Sequence, residues 1–333
     1  MNVRRHHISG IAVAAVTALG LGTLSACSGA NAAGNTEKFD VVASFYPMAF
    51  LAEQIGGDHV NVTSLTEPGQ EPHDLEISAK QTAQLQESDA VLYLKNLQPS
   101  VDDAVAQSEI KTKIDAASLT TLEKHGDEVG GHAAEHDDEH ADEHADEAEG
   151  HDDHDHEEAG GLDPHIWLDP VRYAEVAEGV GKAFQKADPD HAADYAKNTA
   201  ALVKKLDGLD TEFEDGLKNS KTKVFITTHA AFGYLAERYG LTEEAISGLD
   251  PESEPSAARV KALEKMAKAD GVTTVFYETL VSDKTAKTLA SDAGLTTDVL
   301  DPIEGITDAS RGKDYFSVQR ANLKALQTAL GTK

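Results

Sequence analysis

Three histidines stand singly where the chain changes from an apolar run to a turn: His73 in "TEPGQEPHD", His165 in "GLDPHIWLDP" and His229 in "VFITTHAAFG". Imidazole can move a proton near neutral pH or bind a metal through a neutral ring nitrogen. A lone histidine near a strand end is more often a hydrogen-bonded structural residue. Three at comparable positions, with Asp301 ending another such run in "TTDVLDPIEG", point to a shared site. His59 in "GGDHV" and His191 in "DPDHA" read as solvated surface positions.

A second group of histidines is of a different kind. His132, His136, His140 and His144 recur every four residues, followed by His151, His154 and His156, among sixteen Asp and Glu and no Lys or Arg between Gly126 and Glu158. In a helix the first four would share a face and could chelate in pairs. Like charges repel, however, and nothing apolar beyond alanine follows Val129, so the stretch cannot bury a core. Residues 126–160 are expected to be a disordered insertion that binds metal ions weakly and exchangeably near the site of the single histidines, or a solvated spacer with incidental metal affinity.

The elements that must position the single histidines follow from periodicity. Strands are expected near Asp40–Ser44, Val60–Leu65, Ala90–Leu94 and Lys113–Asp115, then near Lys223–Thr228, Ala245–Ser247, Thr273–Tyr277 and Thr297–Leu300. Two echoes indicate a duplication. "VVASFYPMAFLAEQIGG" (41–57) parallels "VFITTHAAFGYLAERYG" (224–240), and within them "FLAEQIG" and "YLAERYG" share a terminal glycine, Gly56 and Gly240, suited to a helix C-cap. "EPHDLEISAKQTAQLQESDAVLYL" (71–94) parallels "EPSAARVKALEKMAKADGVTTVFYE" (254–278). Alternating strands and helices imply parallel sheets, hence an α/β protein of two similar lobes flanked by helices. Between them, residues 188–218 carry Tyr195, Leu202, Leu206, Leu209 and Phe213 at helical spacing. Asp188 as N-cap and Pro189 at the first helical position predict one long rigid helix joining the lobes. The expected organisation is a first lobe over 37–187, this helix, and a second lobe over 219–331. In such sheets ligands collect beyond the carboxyl ends of the strands, which places the histidines in the interlobe cleft.

Composition narrows the function further. The 333 residues are 26% charged and 40% hydrophobic with a net charge of −30, a surface that repels phosphate backbones, so no nucleic acid partner is expected. Arg4 and Arg5, the apolar run Ile8–Leu24 and "LSAC" at 24–27 have the order of a signal peptide. Residues 1–26 are therefore expected to be removed. Cys27, the only cysteine, looks like a lipobox residue that becomes lipidated and tethers the chain through 27–36 to the outer face of the cell membrane.

These motifs together resemble the zinc-binding solute-binding proteins of bacterial ABC importers, the high-affinity zinc uptake (ZnuA-like) family within metal-binding cluster A-I. "FYP" at 45–47, "EPHD" at 71–74, "DPHIWLDP" at 163–170, "THAAFGYLAERYG" at 228–240, "FYE" at 276–278 and "LDPI" at 300–303 carry the resemblance over nearly the whole mature chain. It implies metal ligation by His73, His165 and His229, with Asp301 or water as the fourth ligand. It also implies an ABC permease with its cytoplasmic ATPase as partner, and a monomer. Paired cysteines found in some members are missing.

Three imidazole nitrogens and one carboxylate suit Zn²⁺, with Mn²⁺ disfavoured by the nitrogens and Cu²⁺ held off by geometry and supply. Glu278 and Asp163 are candidates to hold the free ring nitrogens. The reading is thus a non-enzymatic receptor. The alternatives are a secreted zinc hydrolase, for which HExxH is missing, and a surface adhesin or zinc buffer acting without a permease.

Overall fold

A computed structural model describes residues 38–125 and 161–332. The first half runs β1 (Phe39–Ala43), α1 (Tyr46–Gly56), β2 (Val60–Ser64), α2 (Ala79–Glu87), β3 (Ala90–Tyr93), α3 (Pro99–Gln107) and β4 (Thr112–Asp115). Two helices follow, α4 (Pro170–Ala187) and α5 (Ala192–Leu217). The second half runs β5 (Val224–Thr227), α6 (Gly233–Arg238), β6 (Thr242–Ala245), α7 (Ala257–Asp270), β7 (Thr274–Tyr277), α8 (Lys284–Ala293), β8 (Thr296–Val299) and α9 (Tyr315–Ala329).

All the strand pairs are parallel, and the two four-stranded sheets share one order, β2-β1-β3-β4 and β6-β5-β7-β8. Successive strand residues face opposite ways, and both faces of each sheet are covered. Val41 and Leu92 belong to one core cluster, whereas their neighbours Val42 and Val91 pack in another with Leu85, Val101 and Val105 of α2 and α3. Phe225 and Phe276 divide from Ile226 and Val275 in the same way. The inner faces of both sheets thus join one continuous core together with Trp167, Tyr173, Phe184, Leu206 and Phe213.

The long helix differs from its expected form at its start. Asp188 ends α4 and a short 3-10 turn over Pro189–His191 precedes α5, which has 26 residues, about 39 Å at 1.5 Å each. The Asp188 carboxylate is engaged by the Tyr195 hydroxyl at 2.6 Å and by His191 Nδ1 at 2.7 Å, which leaves it unavailable as an N-cap. His191 also stacks on His59, with ring centroids 4.1 Å apart, and His59 Nε2 meets Asp194 at 3.0 Å.

Two further shifts have local causes. The helix-ending glycine with positive φ in the first repeat is Gly57 (φ 55°), one residue beyond the expected Gly56, and in the second it is Gly240 (φ 60°). Gly56 serves a different need, since a Cβ there would lie 2.3 Å from the Val60 side chain. Strand β6 spans Thr242–Ala245, earlier than the expected Ala245–Ser247, because the acid inside it is satisfied there. Glu243 accepts from the Phe232 N–H at 2.9 Å and the Thr227 hydroxyl at 2.7 Å.

Candidate metal centre

The sheet order places the reversal between β1 and β3, and between β5 and β7, so loops at the carboxyl ends of the strands face one another there. His73 lies in the loop after β2, between β2 and α2. His165 precedes the 3-10 turn Ile166–Leu168 that leads into α4, where Asp169 accepts from the Val171 N–H as N-cap and Pro170 occupies the first turn. His229 follows β5 by two residues. His165 and His229 thus stand within five residues of a helix start and a strand end, whereas His73 lies in the longer loop of residues 65–78.

The three rings converge. Ring centroids of His73 and His165 are 5.5 Å apart, His165 and His229 5.3 Å, and His73 and His229 6.0 Å. Their Nε2 atoms surround a single carboxylate oxygen, Glu304 Oε1, at 3.2 Å from His73, 3.5 Å from His165 and 3.6 Å from His229. Four ligand atoms set tetrahedrally about 2.0–2.1 Å from one ion stand about 3.3–3.4 Å apart. The three spacings to Glu304 Oε1 lie near that edge, and all four ligand atoms fall within 4.8 Å of one another.

The outward nitrogens of His165 and His229 are held by buried acids. Asp163 Oδ1 lies 2.7 Å from His165 Nδ1 and accepts the His165 backbone N–H at 2.9 Å. Glu278 Oε1 lies 2.8 Å from His229 Nδ1 and accepts the Thr228 hydroxyl at 2.6 Å. An acid on Nδ1 directs Nε2 and its lone pair inward. The Nε2 atoms of His165 and His229 and Glu304 Oε2 are buried without a hydrogen-bond partner among the described residues, an arrangement that a shared cation would satisfy.

Charges in the cluster depend on one another. Burial disfavours the charged His165 ring, but the Asp163 and Glu304 carboxylates outweigh it and raise its pKa to about 9. For His229 burial is likewise outweighed, by Glu278 and Glu304, and the shift is well upward. Burial would raise Glu304, yet the three imidazoles gathered around its Oε1, His73 within hydrogen-bond distance and the other two slightly farther, hold it well below the usual carboxylate range. Without metal, the rings and Glu304 neutralise each other. With metal, the protons must leave.

Asp301 does not join the cluster, which corrects the expected fourth ligand. Its Oδ1 accepts the Ile303 N–H at 2.8 Å and its Oδ2 the Thr279 hydroxyl at 3.2 Å. Asn322 clamps its backbone, accepting from the Asp301 N–H at 2.9 Å and donating to its carbonyl at 2.7 Å. Ile303 takes φ 59°, a left-handed conformation rare for a β-branched residue. Asp301 thus forms the turn and Glu304, three residues on, enters the site. The signal was present, since aspartate characteristically bonds a backbone N–H two residues ahead.

Glu71 was also passed over as a site residue. Its Oε1 accepts the His73 N–H at 2.8 Å while Oε2 is buried without a partner among the described residues. Burial, then the neighbouring Glu304 charge, push its pKa up to about 8. Cys27, the segments 1–26 and 27–36, and the accessory histidines His132, His136, His140, His144, His151, His154 and His156 lie outside the described residues.

Two parallel sheets with a buried cluster of three imidazoles and a carboxylate at their facing loops define a metal-binding α/β protein. A family model described as "Zinc-uptake complex component A periplasmic" matches residues 41–329, and the chain belongs to that family. It is 37% identical over 313 residues to the zinc-binding lipoprotein AdcA of Streptococcus pneumoniae serotype 4, covering 91% of this chain and 58% of that one. The chain therefore spans little more than half the length of the curated relatives that it matches first. To the high-affinity zinc uptake system protein ZnuA of Bacillus subtilis it is 34% identical over 320 residues, covering 93% and 94% of the two chains. The solved Zn(II)-bound ZnuA-like domain of Streptococcus pneumoniae AdcA is similar with a TM-score of 0.69 and 34% identity, over 88% of this chain and 99% of that one.

Proposed function

We propose that this chain is an extracytoplasmic receptor that binds Zn²⁺ through His73, His165, His229 and Glu304 and hands it to an ABC permease driven by a cytoplasmic ATPase. The observation that carries this reading is the convergence of three Nε2 atoms on Glu304 Oε1 at tetrahedral spacing. The names of the relatives, zinc-binding and zinc-uptake proteins, support the choice of ion and of process. Three neutral imidazoles and one carboxylate leave a bound divalent ion with net charge +1. Nitrogen ligands favour Zn²⁺ over Mn²⁺, while affinity alone would favour Cu²⁺.

The binding step follows from the donors. An arriving ion displaces protons from His165 and His229, and Glu304 exchanges its imidazole partners for the metal. His73 and His165 come from the first half of the chain, His229 and Glu304 from the second, so the ion ties the facing loops together. Anchorage through lipidated Cys27 would hold the receptor near its permease on the outer membrane face. Zinc titration against a competing chelator tests the reading. One tight site should survive removal of residues 126–160 and vanish in His229→Ala, and tight binding that leaves with 126–160 instead would make the protein a zinc buffer.

A further inference from the structure

His125 lies outside the three-histidine cluster and repeats its geometry. Its Nδ1 is 2.8 Å from Asp163 Oδ2, the second oxygen of the carboxylate that holds His165 Nδ1. One buried acid thus fixes two rings whose Nε2 atoms emerge at different places. That of His125 faces Glu237 Oε2 at 3.4 Å, again the spacing of neighbouring ligands around a tetrahedral ion. With its proton on Nδ1 the ring turns a lone pair toward a carboxylate oxygen here, a contact that either a proton on Nε2 or a metal cation between the two atoms makes favourable. Ligand atoms of Glu123, His125 and Glu237 all lie within 4.8 Å of one another.

The surroundings are built around this ring. Tyr234 packs against it edge to face at 4.3 Å, receives the Glu123 N–H and donates to the Asp163 carbonyl. A Cβ on Gly233 would lie 2.4 Å from the His125 side chain, so α6 approaches this closely only because position 233 is glycine. A cavity of about 520 Å³ lined by His125 and Glu237 leaves space for an ion and its waters.

We propose that Glu123, His125 and Glu237 form a second, outer site for a borderline divalent cation such as Zn²⁺, connected to the inner ligand His165 through Asp163. The guanidinium of Arg172 bonds Glu123 and stands 3.8 Å from Glu237, lowering the negative charge of the site. Both glutamates are partly open to solvent. Binding is accordingly weaker and more readily reversed than in the cleft, and the competitor for the position is a proton on His125 Nε2. The outer site stands on its own geometry and does not rest on the cleft reading.

The test is nitrogen-15 NMR of the histidine rings in the full mature chain, titrated with ZnCl₂ at constant pH. The His125 signals are assigned by their loss in His125→Gln, and the His165 signals report the inner site separately. The expected result is that His125 Nε2 moves to a metal-bound position, with Nδ1–H retained, after His165 has saturated. Glu237→Gln should raise the zinc concentration needed at His125 at least tenfold and leave saturation of His165 unchanged. If His125 keeps its metal-free signals while zinc fills the inner site and other histidines, the proposal is overturned. A His125 response unaffected by Glu237→Gln overturns it equally. Failure of His165 to respond would count against the cleft reading alone.

Discussion

Glu304 and Asp301 are separated by three positions and have opposite assignments. Glu304 faces three imidazoles and cannot be replaced by a neutral group without leaving the ion with one charge fewer to offset. Glu304→Gln should weaken zinc binding by more than the 10–100-fold typical of losing an acid that only orients a ligand histidine. Asp163→Asn belongs in that lower range, because it alters how His165 is held and not what touches the metal. Asp301→Asn keeps a side chain able to accept from the Ile303 N–H, so it should alter affinity less than either. Chelator competition on the three variants checks the order, and a larger loss in Asp301→Asn than in Glu304→Gln would reverse the assignment.

The three clustered histidines were legible because each stands alone in a turn-rich motif after an apolar run. Asp301 occupied the same kind of position and was read in the same way, but its carboxylate is consumed by its own turn. Nothing in composition or periodicity distinguishes an acid that builds a loop from one that the loop delivers. Local turn chemistry does. His125 was overlooked for a different reason: it adjoins a stretch so rich in histidine that a single further one carries no contrast.

Among the elements, the segment from Asp301 to Glu304 depends on a partner from the first half of the chain. Trp167 Nε1 donates to the Pro302 carbonyl at 2.7 Å, and the Trp167 carbonyl accepts the Tyr315 hydroxyl at 2.6 Å. Trp167→Phe would retain most of the apolar volume but leave the buried carbonyl without its donor, a loss of about 1–3 kcal/mol. Glu304 would be less firmly held, so zinc should dissociate faster even where the metal-free protein remains folded. Urea denaturation and stopped-flow release to a chelator measure the two effects. An unchanged release rate would show that the loop holds its shape without Trp167.

Helix α5 has a different role. Tyr195, Leu202, Leu206, Leu209, Phe213 and Leu217 are all buried, and their spacing made the helix legible from sequence. Its start was not, because the Asp188 side chain had a competing use in binding Tyr195 and His191. Leu206 belongs to the core that continues across both sheets, so Leu206→Ala should destabilise the whole molecule by about 2–5 kcal/mol, the range for a buried leucine truncated in place. One cooperative unfolding transition with a lowered midpoint is the expected result. Two separated transitions would mean that the halves unfold independently despite their common core.

At the scale of the whole molecule, zinc and protons compete for the same folded state. His165 has its pKa raised to about 9 in the metal-free fold, against about 6.5 for an unperturbed ring. A proton held more tightly when folded stabilises the fold fully below the unfolded value, and that stabilisation is lost as pH rises through the folded value. His229 shifts in the same direction. Zinc requires both rings unprotonated, so at acidic pH it must displace protons that were themselves stabilising. As pH rises from about 6.5 to about 9, the metal-free protein loses this contribution while the zinc-bound protein never had it. The difference in Tm between zinc-bound and metal-free protein should therefore widen across that window at a fixed excess of free zinc, since ligand binding adds RT ln(1 + [L]/Kd) to stability. Calorimetry at several pH values, in buffers of different ionisation enthalpy, also counts the protons released at each. A Tm difference that stays constant or narrows, with no proton release at neutral pH, would mean that the metal-free rings are already neutral and that Glu304 does not hold their protons.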